Sequence, residues 1–103
     1  MYYVYILWSS KSKNFYYGYT EDLKTRIKQH NDGLSFATKP YRPWKLVFYA
    51  AFDSMILAKD FERYTKTGSG KAFVYKRLVS GALKKDASRN KGIPKLSVAK
   101  GYG

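Results

Sequence analysis

The side chains suited to acting on a phosphate diester fall in four places. Arg26 and His30 lie four residues apart within 20–31, so a helix there projects them from one side together. A guanidinium fork with an imidazole beside it makes a phosphate clamp. A solvated helix face shared with Lys24 and Lys28 is the other reading, and the pair alone favours it. Glu62 follows Phe61, with the small Ala58 one turn before it and Lys66 one turn after. On spacing it is half of an exposed i,i+4 ion pair, worth about 0.3–0.5 kcal/mol. Gly68-Ser69-Gly70-Lys71 suggests a phosphate loop, but Thr65 and Ala72 stand where that loop needs Gly and Ser or Thr. What remains is a helix N-terminus with Ser69 and Lys71, suited to a backbone phosphate. Residues 39–44, KPYRPW, interleave basic and aromatic side chains on a loop stiffened by two prolines. Lys39 and Arg42 are candidates for phosphate contacts there and Tyr41 for stacking on an unpaired base, while Trp44 is expected in the core.

These groups need a scaffold, and residues 3–18 set it. Residues 3–8 (YVYILW) and 15–19 (FYYGY) are β-branched and aromatic runs around a polar turn cluster, which reads as a β-hairpin. Val4, Ile6 and Trp8 share one face, assigned to the core; Tyr3, Tyr5 and Leu7 share the other. Pairing Trp8 with Phe15 sets Tyr5 opposite Gly18 and Leu7 opposite Tyr16. Gly18 then leaves a floor open beside Tyr5 and Tyr16. A one-residue slip would send one strand's set to the other face.

The chain of 103 residues is long enough for one small domain with a modest core. Its net charge of +13 points to a polyanionic partner, nucleic acid first and an anionic membrane surface second. The membrane reading rests on charge alone, because no basic amphipathic helix with a clear apolar face accompanies it. With no Cys and one His, disulfides, thiolate metal sites and His-cluster metal sites are excluded. Residues 1–8 lack a basic n-region and are too short for a signal peptide or a span, so a cytoplasmic, reducing location is expected.

Residues 20–31 read as a helix capped by Thr20, with Leu23 and Ile27 inward and Asn31 and Gly33 ending it. Residues 34–43 read as a loop and 44–52 as a third strand. Asp53 or Ser54 caps a second helix to about Lys66, with Leu57, Phe61 and Tyr64 as its apolar stripe. Ser69 caps a third, to about Ser80. Residues 82–103 carry six basic side chains against Asp86 and no apolar period, which reads as a flexible basic tail. The order predicts an α+β domain over 1–81: a small, mostly antiparallel three-stranded sheet, hairpin plus third strand, flanked by helices.

Tyr3-Val4-Tyr5 and Tyr16-Tyr17-Gly18 resemble the two motifs of the GIY-YIG nuclease family, with Tyr5, Tyr16 and Gly18 as strict matches and Tyr16 eleven positions after Tyr5. Arg26, ten residues past Tyr16, matches the family's arginine, and in some members a His follows as His30 does. Glu62 matches the glutamate that binds the divalent metal on the helix after the third strand. The resemblance covers about residues 2–80. It is closest to small stand-alone bacterial members with stretches like residues 39–47 and 61–73 here.

The resemblance implies a metal-dependent DNA endonuclease with one Mg²⁺ or Mn²⁺ on Glu62 and waters. It implies Tyr5 as general base, Tyr16 positioning the water or phosphate, and Arg26 stabilising charge. His30 would bind phosphate or assist proton transfer. Arg26, Lys28, Lys39, Arg42, Ser69 and Lys71 are the candidate nucleic-acid contacts, on DNA that is branched, nicked or single-stranded. Tyr5, Tyr16, Arg26 and Glu62 are expected to converge on one concave surface. Many active members also carry an Asn on the helix after the glutamate; residues 74–77 here are Val, Tyr, Lys and Arg. A non-catalytic nucleic-acid-binding module of the same fold is the alternative.

Overall fold

The strand richest in β-branched and aromatic residues becomes the middle of the sheet. In the computed structural model, which describes residues 1–81, β1 (Tyr2–Ser9) lies between β2 (Asn14–Thr20) and β3 (Trp44–Phe52), antiparallel to both. The hairpin register is the expected one: Trp8 faces Phe15, Leu7 faces Tyr16, and Tyr5 faces Gly18. Lys13, at a φ of 59°, closes the turn through its N–H to the Ser9 carbonyl at 2.8 Å. A central strand needs cover on both faces. The assignment of core to the Val4, Ile6 and Trp8 face alone is therefore corrected, since Tyr5 and Leu7 are buried as fully as Ile6.

Helix α1 (Leu23–Asn31) covers the Tyr5 face. Its Leu23 and Ile27 pack with Tyr16 and Leu46 on the cluster of Tyr5, Leu7 and Trp44. Its cap is Asp22 rather than Thr20: the Asp22 carboxylate accepts from the Thr25 N–H at 3.2 Å, while Thr20 completes β2. Asn31 ends α1 and also fastens it to the sheet. Its amide donates to the Trp44 carbonyl at 3.0 Å and accepts from the Trp44 N–H at 2.6 Å. Gly33, at a φ of 80°, turns the chain out of the helix in a conformation that side-chain-bearing residues avoid. A 3₁₀ turn (Lys39–Tyr41) and a cis Arg42–Pro43 peptide lead into β3. Trp44 is in the core as expected, its indole N–H donating to the Thr38 carbonyl at 2.9 Å.

A bulge in β3 between the partners of Ile6 and Leu7 lets two consecutive residues, Val47 and Phe48, join the opposite core with Ile6, Val74 and Val79. Helix α2 (Met55–Thr65), capped by Ser54, lies on this second face, with Phe61 against Phe48 and Phe52 at ring distances of 6.5 and 5.8 Å. The expected stripe of Leu57, Phe61 and Tyr64 is corrected. The inward positions are Ala58, Phe61, Glu62 and Thr65, and Leu57 is 56% exposed. That spacing of three, four and seven residues is an inward helix face in which only Phe61 is large and apolar. Helix α3 (Gly68–Phe73) continues as a π-helical turn (Val74–Leu78). Thr67 caps it, not Ser69: the Thr67 hydroxyl accepts from the Gly70 N–H at 3.0 Å. The chain is thus α1, sheet, then α2 with α3. The proposed basic tail, 82–103, lies outside the described residues.

Candidate active site

Tyr5 extends across Gly18 on the edge strand β2, so closely that a Cβ there would overlap its phenol carbon and oxygen. This is the physical reason for glycine at that register position. The Tyr5 hydroxyl meets His30 Nε2 at 2.8 Å, and His30 Nδ1 meets the Thr38 hydroxyl at 2.7 Å. Tyr5, His30 and Thr38 are all at most 1% exposed. Burial, helped by the charge of Arg26, lowers His30 to about 4, so the ring is neutral near pH 7. The Thr38 hydroxyl donates to the Ser35 carbonyl at 3.5 Å, which makes it the acceptor for Nδ1–H. Nε2 is then the acceptor for the Tyr5 hydroxyl. The result is a directed chain from Tyr5 through His30 and Thr38 to Ser35.

This arrangement corrects the reading of His30 as a phosphate ligand. Both ring nitrogens are occupied and the ring is enclosed, because α1 turns His30 inward over Tyr5 and Tyr16 at ring distances of 5.8 and 5.0 Å. Arg26, one turn earlier, is half-buried, and its guanidinium donates to Gln29 Oε1 at 3.0 Å. It remains beside Tyr5. Burial pushes the Tyr5 phenol up to about 12; the guanidinium and charge of Arg26 oppose that rise, while the Tyr16 phenol and the Glu62 carboxylate add to it. Tyr16 packs 6.4 Å from Tyr5 on the same face.

Glu62 comes from the other side. Its helix packs on the Val4 and Ile6 face, Phe61 against Phe48, whereas Tyr5 and Tyr16 lie on the α1 face, so the expectation of one shared concave face is corrected. Glu62 raises Tyr5 on one face. On the other face the Tyr19 phenol is raised by burial first, then by Glu21, with smaller contributions from Tyr2 and Glu62. Lys59, three residues before Glu62 on α2, stands over the Tyr19 ring of β2 at 4.9 Å, which brings this stretch of the helix to the edge strand. The Glu62–Lys66 pair exists, at 3.2 Å, but the Glu62 side chain is only 23% exposed and belongs to the inward stripe of α2. Among the described residues no group of three or more His, Cys, Asp or Glu stands together.

The remaining candidates lie apart from this cluster. Lys28 is exposed and paired with Asp32 at 2.7 Å. Lys39 and Arg42 border a hollow with Lys11, Asn31, Pro40 and Pro43, beyond the hairpin turn. Ser69 is exposed in a helix of only six residues whose N-terminus Thr67 already caps, so the helix-terminus phosphate reading is not supported. Lys71 instead faces the outer surface of β2. Sequence reasoning missed Thr38, a buried polar residue in a loop without periodicity.

A family model described as the GIY-YIG catalytic domain matches residues 1–79. Similar proteins include the UPF0213 protein YazA of Bacillus subtilis (strain 168), 42% identical over 57 residues, 54% of this chain and 58% of that protein. The match therefore spans little more than half of YazA. The UPF0213 protein CPE1444 of Clostridium perfringens is 40% identical over 67 residues, 64% of this chain and 71% of that protein. Among solved structures, the solution NMR structure of the UPF0213 protein BH0048 from Bacillus halodurans aligns with 90% of this chain and all of its own. Its TM-score is 0.50 and its sequence identity 30%. Among the described residues no helix is long and apolar enough to cross a membrane.

Proposed function

This chain belongs to the GIY-YIG family, and on that premise we propose that it is a divalent-metal-dependent endonuclease cutting DNA phosphodiester bonds. The observation that carries the reading is the Tyr5 phenol laid across Gly18, its hydroxyl 2.8 Å from His30 Nε2 and its ring 6.4 Å from Tyr16. Diester hydrolysis needs a base for water, a cation for the developing charge and a carboxylate for a metal, and Tyr5, Tyr16, Arg26 and Glu62 supply that set.

The donor set fits Mg²⁺. That ion keeps most of its water and is held by one or two carboxylates with substrate phosphates, and Glu62 is one carboxylate, 23% exposed, on the stretch of α2 beside β2. Glu62 would hold it, and the ion would supply charge neutralisation at the phosphate. Mn²⁺ suits the same oxygen donors. The protein's own residues do the rest. His30 fixes the hydroxyl hydrogen of Tyr5 toward Nε2 and leaves the lone pairs of the phenol oxygen as acceptors. Tyr16 packs against both and limits their movement. Arg26 faces the phosphate's developing charge. The surplus of +8 over residues 1–81 attracts the polyanion.

The second reading, a binding module that holds nucleic acid without cutting it, is favoured by one observation. Residues 74–77 contain no Asn, and they form a π-helical turn whose Val74 is buried. Glu62→Gln separates the two. It removes charge and keeps shape, so Mg²⁺-dependent cleavage is expected to vanish while folding and DNA binding persist. Cleavage by the purified Gln variant at the wild-type rate refutes the assigned role of Glu62. Absence of cleavage by the wild type on nicked, flapped and branched DNA favours the binding module.

A further inference from the structure

On the face turned away from Tyr5, the edge strand β2 carries Phe15, Tyr17 and Tyr19 in line. Phe15 and Tyr17 look across a hollow of about 310 Å³ toward α3, closed by Asn14, Lys71, Ala72 and Tyr75. That volume is at the small end of the range for small-molecule sites, roughly 300–1,000 Å³. Its aromatic wall is braced. The Phe15 ring meets Trp8 at 4.7 Å, Tyr17 at 6.5 Å and Tyr75 edge-on at 5.5 Å. Tyr75 is nonetheless 49% exposed, so a ring held from behind offers its free surface to the hollow. The Tyr17 and Tyr75 hydroxyls and the Asn14 amide are neutral donors and acceptors on the rim. Lys71 supplies the charge there, and among the described residues no carboxylate lines the hollow.

A flat, π-faced guest with polar edges and an anionic tether satisfies all of these groups. An aliphatic guest would leave the amide and hydroxyls unused, and an inorganic anion would leave the rings unused. A base stacked in a duplex cannot enter, because its faces are already covered. The hollow also lies in register with the proposed cutting site. Tyr19, two residues along β2 from Tyr17, lies under the ammonium of Lys59 at 4.9 Å, and Lys59 is three residues from Glu62 on α2. Two strand residues advance about 6.6–6.8 Å. The stretch of α2 carrying Glu62 and the hollow thus adjoin along one edge.

We propose that this hollow takes one unpaired nucleobase against Tyr75 and Tyr17, with Lys71 on the adjoining phosphate, so that the DNA cut here carries a single-stranded nucleotide beside the scissile bond. The inference rests on the endonuclease reading for the cut, and on the hollow alone for the base.

The test is metal-free binding of a short single-stranded oligonucleotide carrying 2-aminopurine, beside a blunt duplex of the same sequence. The wild type is expected to bind the single strand more tightly and to quench its fluorescence by stacking. Tyr75→Ala is expected to remove the quenching and weaken single-strand binding about tenfold, with duplex binding unchanged. Because Tyr75 also touches Phe15, Ala72→Glu provides a second arm. It places a negative charge in the hollow from an exposed position and should give the same loss in a folded protein. Equal binding of both DNAs, insensitive to both substitutions, overturns the hollow and leaves the endonuclease reading standing. Displacement of the oligonucleotide by an acidic tyrosine-bearing peptide of equal affinity assigns the hollow to a protein partner and overturns the base. No binding to any DNA overturns both proposals.

Discussion

Gly18→Ala is the most informative single perturbation of this site. The added methyl would overlap the phenol carbon and oxygen of Tyr5 and lie 2.9 Å from its Cε1, where ordinary carbon contacts are about 3.5–4.0 Å. Tyr5 is 1% exposed, so its ring has no solvent to move into without disturbing α1. Overpacking of this kind costs roughly 1–3 kcal/mol. A ring shifted by an ångström also leaves His30 Nε2, now 2.8 Å from the hydroxyl, and a buried donor and acceptor left unmatched add roughly 1–3 kcal/mol. The expected loss is therefore about 2–6 kcal/mol in urea titrations. Cleavage should fall on the order of a hundredfold in the fraction that remains folded, as expected for a reacting group misplaced by about 1 Å. The Tyr5→Phe background divides the two contributions. The ring overlap persists there but the hydrogen bond is already gone, so the same glycine substitution should cost about 1–3 kcal/mol less. A Gly18→Ala protein within about 0.5 kcal/mol of wild type and fully active would refute the account, since only an unconstrained Tyr5 permits that result.

Stability should depend on pH through the same pair. His30 has a lowered pKa of about 4, so its contribution is complete above 6.5 and is lost as pH falls toward 4. The loss is about 3 kcal/mol, measured by urea midpoints and missing from a His30→Gln variant. Tyr5, raised to about 12, contributes fully below pH 10 and loses that contribution as pH rises through 12. Gly70→Ala should destabilise by at least about 3 kcal/mol, because the methyl would meet the Tyr64 carbonyl and lie 3.0 Å from Thr65 Cα, backbone that cannot swing aside. Gly68→Ala, with no atom within 4 Å of the new methyl, should be neutral or stabilising by about 0.5–1 kcal/mol in the same urea titrations.

The hairpin register was readable because turn length, Trp8, Phe15 and Gly18 all demand the same pairing, and β3 because nine apolar-rich residues begin sharply after Pro43. The facing of β1 was not. Val4 to Ser9 are all buried, and an alternating pattern cannot be seen when both sets are apolar or aromatic. The orientation of α2 was hidden for a related reason. Two of its four inward positions are Ala58 and Thr65, small enough to admit Glu62 but invisible to a hydrophobicity stripe, while Ile56 and Leu57 point to solvent. Both caps fell two residues away from the expected Thr20 and Ser69, because Asp22 and Thr67 had equal chemical claims and only the approach of Gly70 to Tyr64 fixes where α3 begins. Arg26 and Glu62 carried a family spacing. His30 shared it, but its burial follows from Thr38 and Tyr5, which the linear spacing does not connect.

That burial decides what His30 can do. A proton passed from a water through the Tyr5 hydroxyl would end on the ring, whose pKa of about 4 lies three units below pH 7. That acceptor is about 4 kcal/mol poorer than solvent, so a relay onto His30 gains nothing over release of the proton to water. The 2.8 Å bond serves instead to hold the phenol and fix its hydrogen. His30→Gln tests this directly. Its amide oxygen accepts the Tyr5 hydroxyl as Nε2 does, so orientation is retained, but the amide takes no proton. The rate constant kcat, KM and DNA binding are therefore expected to stay within a few-fold of wild type. His30→Ala, which leaves the hydroxyl without its acceptor, should lower kcat about a hundredfold through a misplaced phenol. Loss of a proton-accepting partner lowers rates about 10²–10⁴-fold, so a drop of that size in His30→Gln would refute the positioning role and make the imidazole the proton acceptor.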